Sequence, residues 1–156
     1  LDNHPLLPAS GTLHHIGMLW GYRLLTRSDV FVRKNPVPSE TPLRALVFMT
    51  DGDTQASTEA AWYGAYGALR DKRITSSTSA GTFKNQVMYR FAKVCENAKR
   101  DGIAVYVVSL LNPSSDARNV FSACAGSNYL QTSTQSEIQN AFRQIAVDLV
   151  DLHLTQ

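Results

Sequence analysis

Residues 43–53 read LRALVFMTDGD, and this stretch decides the fold. A mostly apolar run over 43–49 stops abruptly at a polar turn in which Asp51 and Asp53 flank a glycine. Apolar runs with little polar alternation are typical of strands that are covered on both faces of a parallel sheet. The sequence therefore predicts a doubly buried parallel strand here, with the two aspartates at its carboxyl end.

Outward from this strand, helical and strand patterns alternate. An apolar period of 3.6 predicts a helix from Thr12, its N-cap, to 24, another over 83–98 and a third from a Thr134/Glu137 capping box to 149. Residues 103–110 indicate a second doubly covered strand, 117–124 a short helix and 129–132 a brief third strand. We expect the α/β class, with a mostly parallel, Rossmann-like sheet flanked by helices.

The apolar positions also predict how the helices pack. The first helix is apolar nearly all round, which favours burial on more than one side. Gly17 and Gly21 lie four residues apart on it, and close packing against another backbone would explain both. The expected buried face of the last helix consists of Ile138, Phe142, Ile145 and Leu149.

Length and composition limit the class of protein. The chain has 156 residues, enough for one domain, and 44% of them are hydrophobic. Its formal net charge of +2 is too small to indicate a nucleic-acid partner. We expect an arm or loop over 1–11, a polar connector over 26–43 and a long insertion over 55–82. Within these residues we expect neither a membrane-spanning helix nor a signal peptide.

Asp51 and Asp53 form the only carboxylate pair at the predicted strand ends. In one interpretation Asp51 helps to bind a hard cation such as Mg²⁺ through oxygen atoms. In another the pair resembles the opening motif of haloacid-dehalogenase-type phosphohydrolases, with Asp51 as nucleophile and Asp53 as general acid/base. In a third interpretation the segment is simply a turn.

The chain has two cysteines. Cys95 and Cys124 are either two buried thiols or one disulfide.

Three segments together resemble a known family. They are the helix 11–25, GTLHHIGMLWGYRLL; the strand end 48–54, FMTDGDT; and the pattern Ala65-Tyr-Gly-x-x-x-Asp-x-Arg73. They are similar to the von Willebrand factor type A (vWA) domain of TadG-like proteins from bacterial Tad (Flp-type) pilus-assembly systems. The cysteines and the pattern of the last helix extend the resemblance over essentially the whole chain. Thr26-Arg27 departs mildly from the Ser-Pro usual after the helix.

The resemblance implies a metal-ion-dependent adhesion site (MIDAS). Thr12 and Asp51 match two of the family's ligand positions, with Ser10 and Asp53 as weaker neighbours. The implied ion is Mg²⁺, Mn²⁺ or Ca²⁺. The family's Asp-x-Ser-x-Ser loop, which follows its first strand, occurs nowhere in the chain. We therefore expect 1–156 to be the C-terminal portion of one vWA-like domain that lacks its first strand or strands, with weak or no metal binding by this fragment.

The resemblance also implies a function and a location. We expect a non-enzymatic binding or structural module that contacts proteins of the pilus or secretion machinery through a bound cation. The expected location is the bacterial cell envelope, on its periplasmic or extracellular side, with a membrane contact only through an anchor upstream of these residues. A Cys95–Cys124 disulfide is favoured there. A sheet without its first strand exposes an apolar edge, through which copies can associate.

Two alternatives keep different functions open. The phosphohydrolase interpretation needs a downstream lysine and a later acidic pair, but the second strand is followed by Leu111-Asn112-Pro113. A degenerate vWA domain would act as a scaffold without metal. Among the other candidates, His14-His15 indicate a solvated pair or a packing feature. Three aromatic residues form either an exposed binding patch or a cover over the core: Trp62, Tyr63 and Tyr66. Five basic residues indicate a solvated helix face: Lys84, Arg90, Lys93, Lys99 and Arg100.

Overall fold

The computed structural model describes residues 12–31, 42–55, 66 and 69–154. Helices and strands alternate along this part of the chain. In order they are α1 (His14–Thr26), β1 (Ala45–Thr50), α2 (Ala80–Arg100), β2 (Ala104–Leu110), α3 (Ser115–Ala125), β3 (Tyr129–Thr132) and α4 (Gln135–Leu154). No helix in these ranges is long and apolar enough to cross a bilayer.

The three described strands form one parallel sheet in the order β1-β2-β3. Ala45 pairs with Ala104 between the first two strands, and Val107 pairs with Tyr129 between the second and third. Helical segments connect each strand to the next, as parallel pairing requires. The α/β class with a parallel sheet flanked by helices is confirmed, and this arrangement is compatible with a Rossmann-like fold.

Helices cover the two faces of the sheet unequally. On one face α1, α2 and α3 enclose the main core, in which Met18, Phe91 and Phe121 are fully buried. On the other face α4 packs Ile145 against Tyr106 and Val108 of β2. The central strand is therefore buried on both faces, as its apolar run predicts.

The first strand is covered on one face only, so its predicted double burial is wrong. Leu46 is buried under α1, but the side chains of Val47 and Met49 are 39% and 51% exposed on the opposite face. α4 packs mainly over β2 and β3; Ala45 at the start of β1 packs against the cluster that contains Ile145, whereas Val47 and Met49 remain exposed. An apolar run indicates that a strand can be buried, but only the position of the last helix decides whether it is.

Thr12 is not the N-cap of α1. Its N–H donates to the Gln55 carbonyl (3.2 Å) and its own carbonyl accepts from the Gln55 N–H (3.1 Å), forming an antiparallel bridge. Both backbone groups of Thr12 are thus used outside the helix. α1 begins at His14 after Leu13, which provides no side-chain cap.

The first helix is buried on more than one side, as predicted: His14 contacts Phe48 and Phe121 of the main core, and His15 stacks on Tyr66. Its outer flank is about half exposed at Trp20 and Leu24.

One packing prediction for the last helix is wrong. On α4, Phe142 is 43% exposed, whereas the preceding Ala141 is buried beside Ile145. α4 has apolar residues around much of its circumference, so the spacing of apolar positions alone does not decide whether Ala141 or Phe142 faces the sheet.

The other boundaries follow the sequence pattern closely. Thr134 and Glu137 form the capping box: the Thr134 Oγ1 accepts from the Glu137 N–H (3.3 Å), and Glu137 Oε2 accepts from the Thr134 N–H (3.1 Å). Gly102, with φ of +72°, ends the turn after α2, as its position predicts.

Three predicted loop segments lie wholly or largely outside the described residues: the arm 1–11, much of the connector 26–43 and much of the insertion 55–82. The predicted end of the insertion at 82 is wrong by three residues, because α2 already begins at Ala80 after its N-cap Ser79.

The two cysteines are bonded to each other. The Cys95–Cys124 disulfide, with sulfur atoms 2.04 Å apart, joins α2 to α3 on the face that carries the main core. Both residues are buried. The bond links the helix before β2 to the helix after it.

Candidate functional site

The carboxyl end of β1 forms a tight polar turn. Thr50 is buried there, and its hydroxyl donates to the Gly52 carbonyl (3.1 Å) and accepts from the Gly52 N–H (3.3 Å). These contacts fold the chain back directly after the strand and leave the Asp51 side chain exposed. Such strand ends are where ligands bind in open α/β sheets.

A cavity of about 420 Å³ lies at this strand end, and it brings Thr12 and Asp51 together. Phe48 and Met49 also line it. Leu110 at the end of β2 lines it as well, so the cavity lies at the carboxyl ends of β1 and β2. Two of the residues singled out for metal binding therefore share one cavity at this end of the sheet.

Asp53 does not line that cavity. Its Oδ1 accepts a hydrogen bond from the Ser114 N–H (2.9 Å), next to the N-terminus of α3, where a negative charge is stabilised by the helix dipole. It lines a separate cavity of about 280 Å³ together with Lys84 and Asp116. The role of Asp53 here is to tie the turn after β1 to α3. Ser10 lies outside the described residues.

His14 joins the turn to α1 from inside the protein. Its Nε2 lies 2.8 Å from Thr50 Oγ1, and its Nδ1 lies 2.7 Å from Thr54 Oγ1. Since the Thr50 hydroxyl proton is directed to the Gly52 carbonyl, that oxygen accepts from Nε2–H, and Nδ1 accepts from the Thr54 hydroxyl. Thr54 has only a thioether, Met88 Sδ, as a competing acceptor (3.2 Å). A neutral imidazole with its proton on Nε2 satisfies both contacts.

The electrostatics of His14 agree with that assignment. Burial lowers its pKa to about 4, against the opposing effect of the nearby Asp53 and Asp51 carboxylates. A neutral His14 is therefore expected at physiological pH. The sequence prediction of a packing feature is correct for this residue, and that of a solvated residue is wrong.

His15 is equally buried but has different contacts. Its ring stacks on Tyr66 at a centroid distance of 5.2 Å, and Arg90 lies over the Tyr66 ring at 5.4 Å. Neither of its ring nitrogens has a hydrogen-bond partner. Burial lowers its pKa to about 4, with the positive charge of Arg90 as the next cause. Tyr66 therefore covers buried residues, while Trp62 and Tyr63 lie outside the described part of the chain.

The basic residues of α2 lie on its solvated side, as predicted. All five are exposed: Lys84, Arg90, Lys93, Lys99 and Arg100. Lys93 pairs with Glu96 at 2.7 Å, an exposed i,i+3 contact of small energetic value.

The residues at the β1 cavity only partly fit a divalent cation. A carboxylate and a hydroxyl are oxygen donors of the kind that Mg²⁺ and Ca²⁺ prefer, but these ions take six or more ligands. Thr12 and Asp51 can supply two. In the part of the chain that the structure describes, no group of three or more His, Cys, Asp or Glu side chains could hold a metal ion. A complete site would need further ligands from water or from other polypeptide.

The contacts of Asp53 and of the two histidines could not be found from the sequence. The one available signal is that Thr50 and Thr54 bracket the Asp-Gly-Asp turn, since threonines beside a turn often provide hydroxyl contacts.

No family model matches the chain, and no curated protein or solved structure matches it either.

Proposed function

We propose that the chain is a non-enzymatic binding or structural module of the vWA type, from a TadG-like protein of a Tad/Flp pilus-assembly system. Its partners are proteins of the pilus or secretion machinery. The observation that carries the proposal is the cavity at the end of β1, where Thr12 and Asp51, the two residues that match the family's ligand positions, lie together.

In this proposal Thr12 and Asp51 each contribute one oxygen ligand to Mg²⁺, Mn²⁺ or Ca²⁺. Their shared cavity lies at the carboxyl end of a parallel strand, where ligands bind in open α/β sheets. The bound cation would supply an open coordination position for a carboxylate of the partner protein. With two ligands from the described residues, we expect weak cation binding, with dissociation constants of about 1 mM or higher.

Paramagnetic broadening by Mn²⁺ tests the cation site, because it detects weak binding residue by residue. Amide signals of Thr12 and Asp51 should broaden first in spectra of the labelled chain, and Asp51→Asn should abolish the effect. Asp116→Asn is the matched control, since Asp116 is an exposed carboxylate of the other cavity. Broadening that is absent, or centred on Asp53 and Asp116, would favour the degenerate scaffold that binds no metal at Thr12.

The alternative of a Mg²⁺-dependent phosphohydrolase needs Asp51 and Asp53 at one reaction centre. The two carboxylates line different cavities, and one oxygen of Asp53 is engaged by the Ser114 N–H. These contacts favour the binding module. Hydrolysis of a generic aryl phosphate with Mg²⁺ distinguishes the two, because activity that is lost in Asp51→Asn is expected only of the enzyme.

We propose a location in the cell envelope, outside the cytoplasm. The Cys95–Cys124 disulfide supports it, because disulfides persist in oxidising compartments. Any attachment to a membrane would then come from an anchor outside these residues. Rapid acid trapping and alkylation of the protein in its host tests the location: full oxidation of both cysteines supports it, and free thiols contradict it.

A further inference from the structure

The chain contains two Asp-Gly dipeptides, Asp51-Gly52 and Asp101-Gly102. An aspartate followed by glycine is prone to spontaneous rearrangement, because glycine has no side chain to hinder attack of its backbone nitrogen on the aspartate side-chain carboxyl carbon. Whether the attack takes place in a folded protein depends on how firmly the structure holds the nitrogen and the carboxyl group. The two dipeptides differ in both respects.

The reacting groups of Asp101-Gly102 are all held by hydrogen bonds. Asp101 Oδ2 accepts from the Tyr22 hydroxyl (2.6 Å), and the Asp101 carbonyl accepts from Arg44 Nη2 (2.6 Å). The Gly102 N–H donates to the Lys99 carbonyl (3.0 Å). Ring closure has to rotate the peptide between the aspartate and the glycine, which would break these contacts. The structure therefore protects this dipeptide.

Asp51-Gly52 lacks these restraints. Within the described part of the chain, the exposed Asp51 carboxylate accepts no hydrogen bond and forms no ion pair. The Gly52 N–H has one long contact, to Thr50 Oγ1 (3.3 Å), and that oxygen also accepts from His14 Nε2–H (2.8 Å). Apart from its chain neighbours, a Cβ at Gly52 would meet no atom within 4 Å. The nitrogen and the carboxyl group can therefore approach each other.

We propose that Asp51 is a site of spontaneous isoaspartate formation. The Gly52 nitrogen attacks Asp51 Cγ, and the new N–Cγ bond closes a cyclic imide while the amide proton leaves with the carboxyl hydroxyl as water. A water molecule then opens the ring at the main-chain carbonyl carbon of Asp51, which breaks the bond from that carbon to the Gly52 nitrogen. The main chain now runs through Cβ and Cγ, and the mass of the protein is unchanged.

The product changes the position of the carboxylate at the end of β1. Isoaspartate adds an atom to the backbone between Thr50 and Gly52 and carries its carboxylate directly on Cα. The carboxylate thus moves closer to the main chain and away from its place in the cavity shared with Thr12. Loss of cation binding in the aged protein is the expected consequence. This consequence rests on the proposed function, whereas the rearrangement itself does not.

Prolonged incubation of the chain at neutral pH in EDTA tests the proposal without any cation. Peptide mapping with electron-transfer fragmentation distinguishes isoaspartate from aspartate at each position. We expect isoaspartate to accumulate at position 51 about tenfold or more faster than at position 101, because the additional hydrogen bonds of Asp101 must break first. No isoaspartate at position 51, or equal accumulation at the two positions, overturns the proposal.

The same incubation in urea separates the effect of the structure from that of the local sequence. The two rates should become similar in the unfolded chain, since the contacts of Asp101 are then absent. A preference for position 51 that persists in urea contradicts the structural protection of Asp101. With Mn²⁺ in place of EDTA, slower formation at position 51 is expected only if Asp51 is a cation ligand, so the two proposals can fail separately.

Gly52→Ala tests the attacking group. The alanine side chain has room, and Gly52 does not adopt a left-handed backbone conformation, so we expect this variant to fold. A methyl group beside the nitrogen should slow isoaspartate formation at position 51 severalfold and leave the rate at position 101 unchanged. An unchanged rate at position 51 in this variant contradicts attack by the Gly52 nitrogen.

Discussion

At the scale of single residues, His14 and His15 are neighbours on α1 with opposite hydrogen-bonding states. His14 contacts the hydroxyls of Thr50 and Thr54, while both ring nitrogens of His15 are buried without partners. A buried polar group without a partner carries a desolvation cost that a hydrogen bond would offset. Substitution at the two positions should therefore change stability in different directions.

We expect His14→Phe to lower the free energy of unfolding by about 2 kcal/mol, because it leaves the Thr50 and Thr54 hydroxyls without the ring they contact. His15→Phe should be neutral or stabilise by up to about 1 kcal/mol, since it removes two unpaired nitrogens and keeps an aromatic ring on Tyr66. Urea unfolding at pH 7 measures both. Equal losses for the two variants would contradict the assigned hydrogen bonds.

The same two residues should make stability depend on pH. Their pKa values are lowered in the folded protein from 6.5 to about 4, so the unfolded chain binds more protons between these values. Their contribution is therefore complete above pH 6.5 and is lost as the pH falls towards 4. For His14 alone the loss is on the order of 3 kcal/mol.

Unfolding free energies at pH 7.0 and 4.5 measure this dependence. Because carboxylates also begin to titrate near the lower pH, the informative quantity is the difference between wild type and His14→Gln. We expect a smaller loss of stability on acidification in the variant, which lacks one of the two titrating rings. An unchanged dependence would show that His14 does not titrate with a lowered pKa.

At the scale of elements, α1 packs against β1 through two glycines with different amounts of room. A Cβ at Gly21 would lie 3.1 Å from Leu46 Cδ1, which is tight, whereas a Cβ at Gly17 would lie 3.6 Å from Phe48, an ordinary contact. The predicted close packing therefore applies to Gly21 much more than to Gly17.

This difference predicts unequal effects of alanine. Gly17→Ala should raise the free energy of unfolding by about 0.5–1 kcal/mol, the usual gain for alanine over glycine within a helix. Gly21→Ala should give clearly less, or a loss, because Leu46 must move to make room. Thermal melting of the two variants beside wild type provides the measurement, and the opposite ranking would contradict the packing of α1 on β1.

The elements themselves were largely predictable, but the exposure of several apolar side chains was not. The Thr134/Glu137 box and Gly102 mark helix ends through local contacts, which sequence spacing encodes directly. By contrast, the exposure of Val47 and Phe142 depends on where α4 lies over the sheet. That position results from packing between segments that are distant in the sequence, which hydrophobic periodicity does not reveal.

At the scale of the whole molecule, the Cys95–Cys124 bond closes a loop that contains the whole of β2. For a sequence separation of 29 residues, the chain-entropy argument gives a contribution of about 3–4 kcal/mol. We expect the free energy of unfolding of the double variant Cys95→Ala/Cys124→Ala, measured in urea, to be lower by roughly this amount.

We also expect no free thiol in a titration under denaturing, non-reducing conditions, and two free thiols would contradict the bond.

The candidate site was partly accessible from the sequence. Asp51 follows a recognisable strand, and Thr12 was singled out through the resemblance, so both could be named before their shared cavity was known. The separation of Asp53 from Asp51 could not be anticipated, because it depends on the Ser114 N–H, which another segment of the chain brings to it. Two residues that are two positions apart in a turn can thus contact different parts of the structure.

The parallel sheet has a consequence for the order in which the protein folds. No two of its described strands can pair as a hairpin, since Val107 must find Tyr129 and Ala45 must find the still more distant Ala104. The cost in chain entropy of closing these loops grows with their length and is incurred before the contacts form. The unit β2-α3-β3 should therefore assemble first, and β1 should dock late onto a surface that already exists. Until it docks, the apolar side of β2 is open to water, which makes this the stage at which aggregation competes with folding.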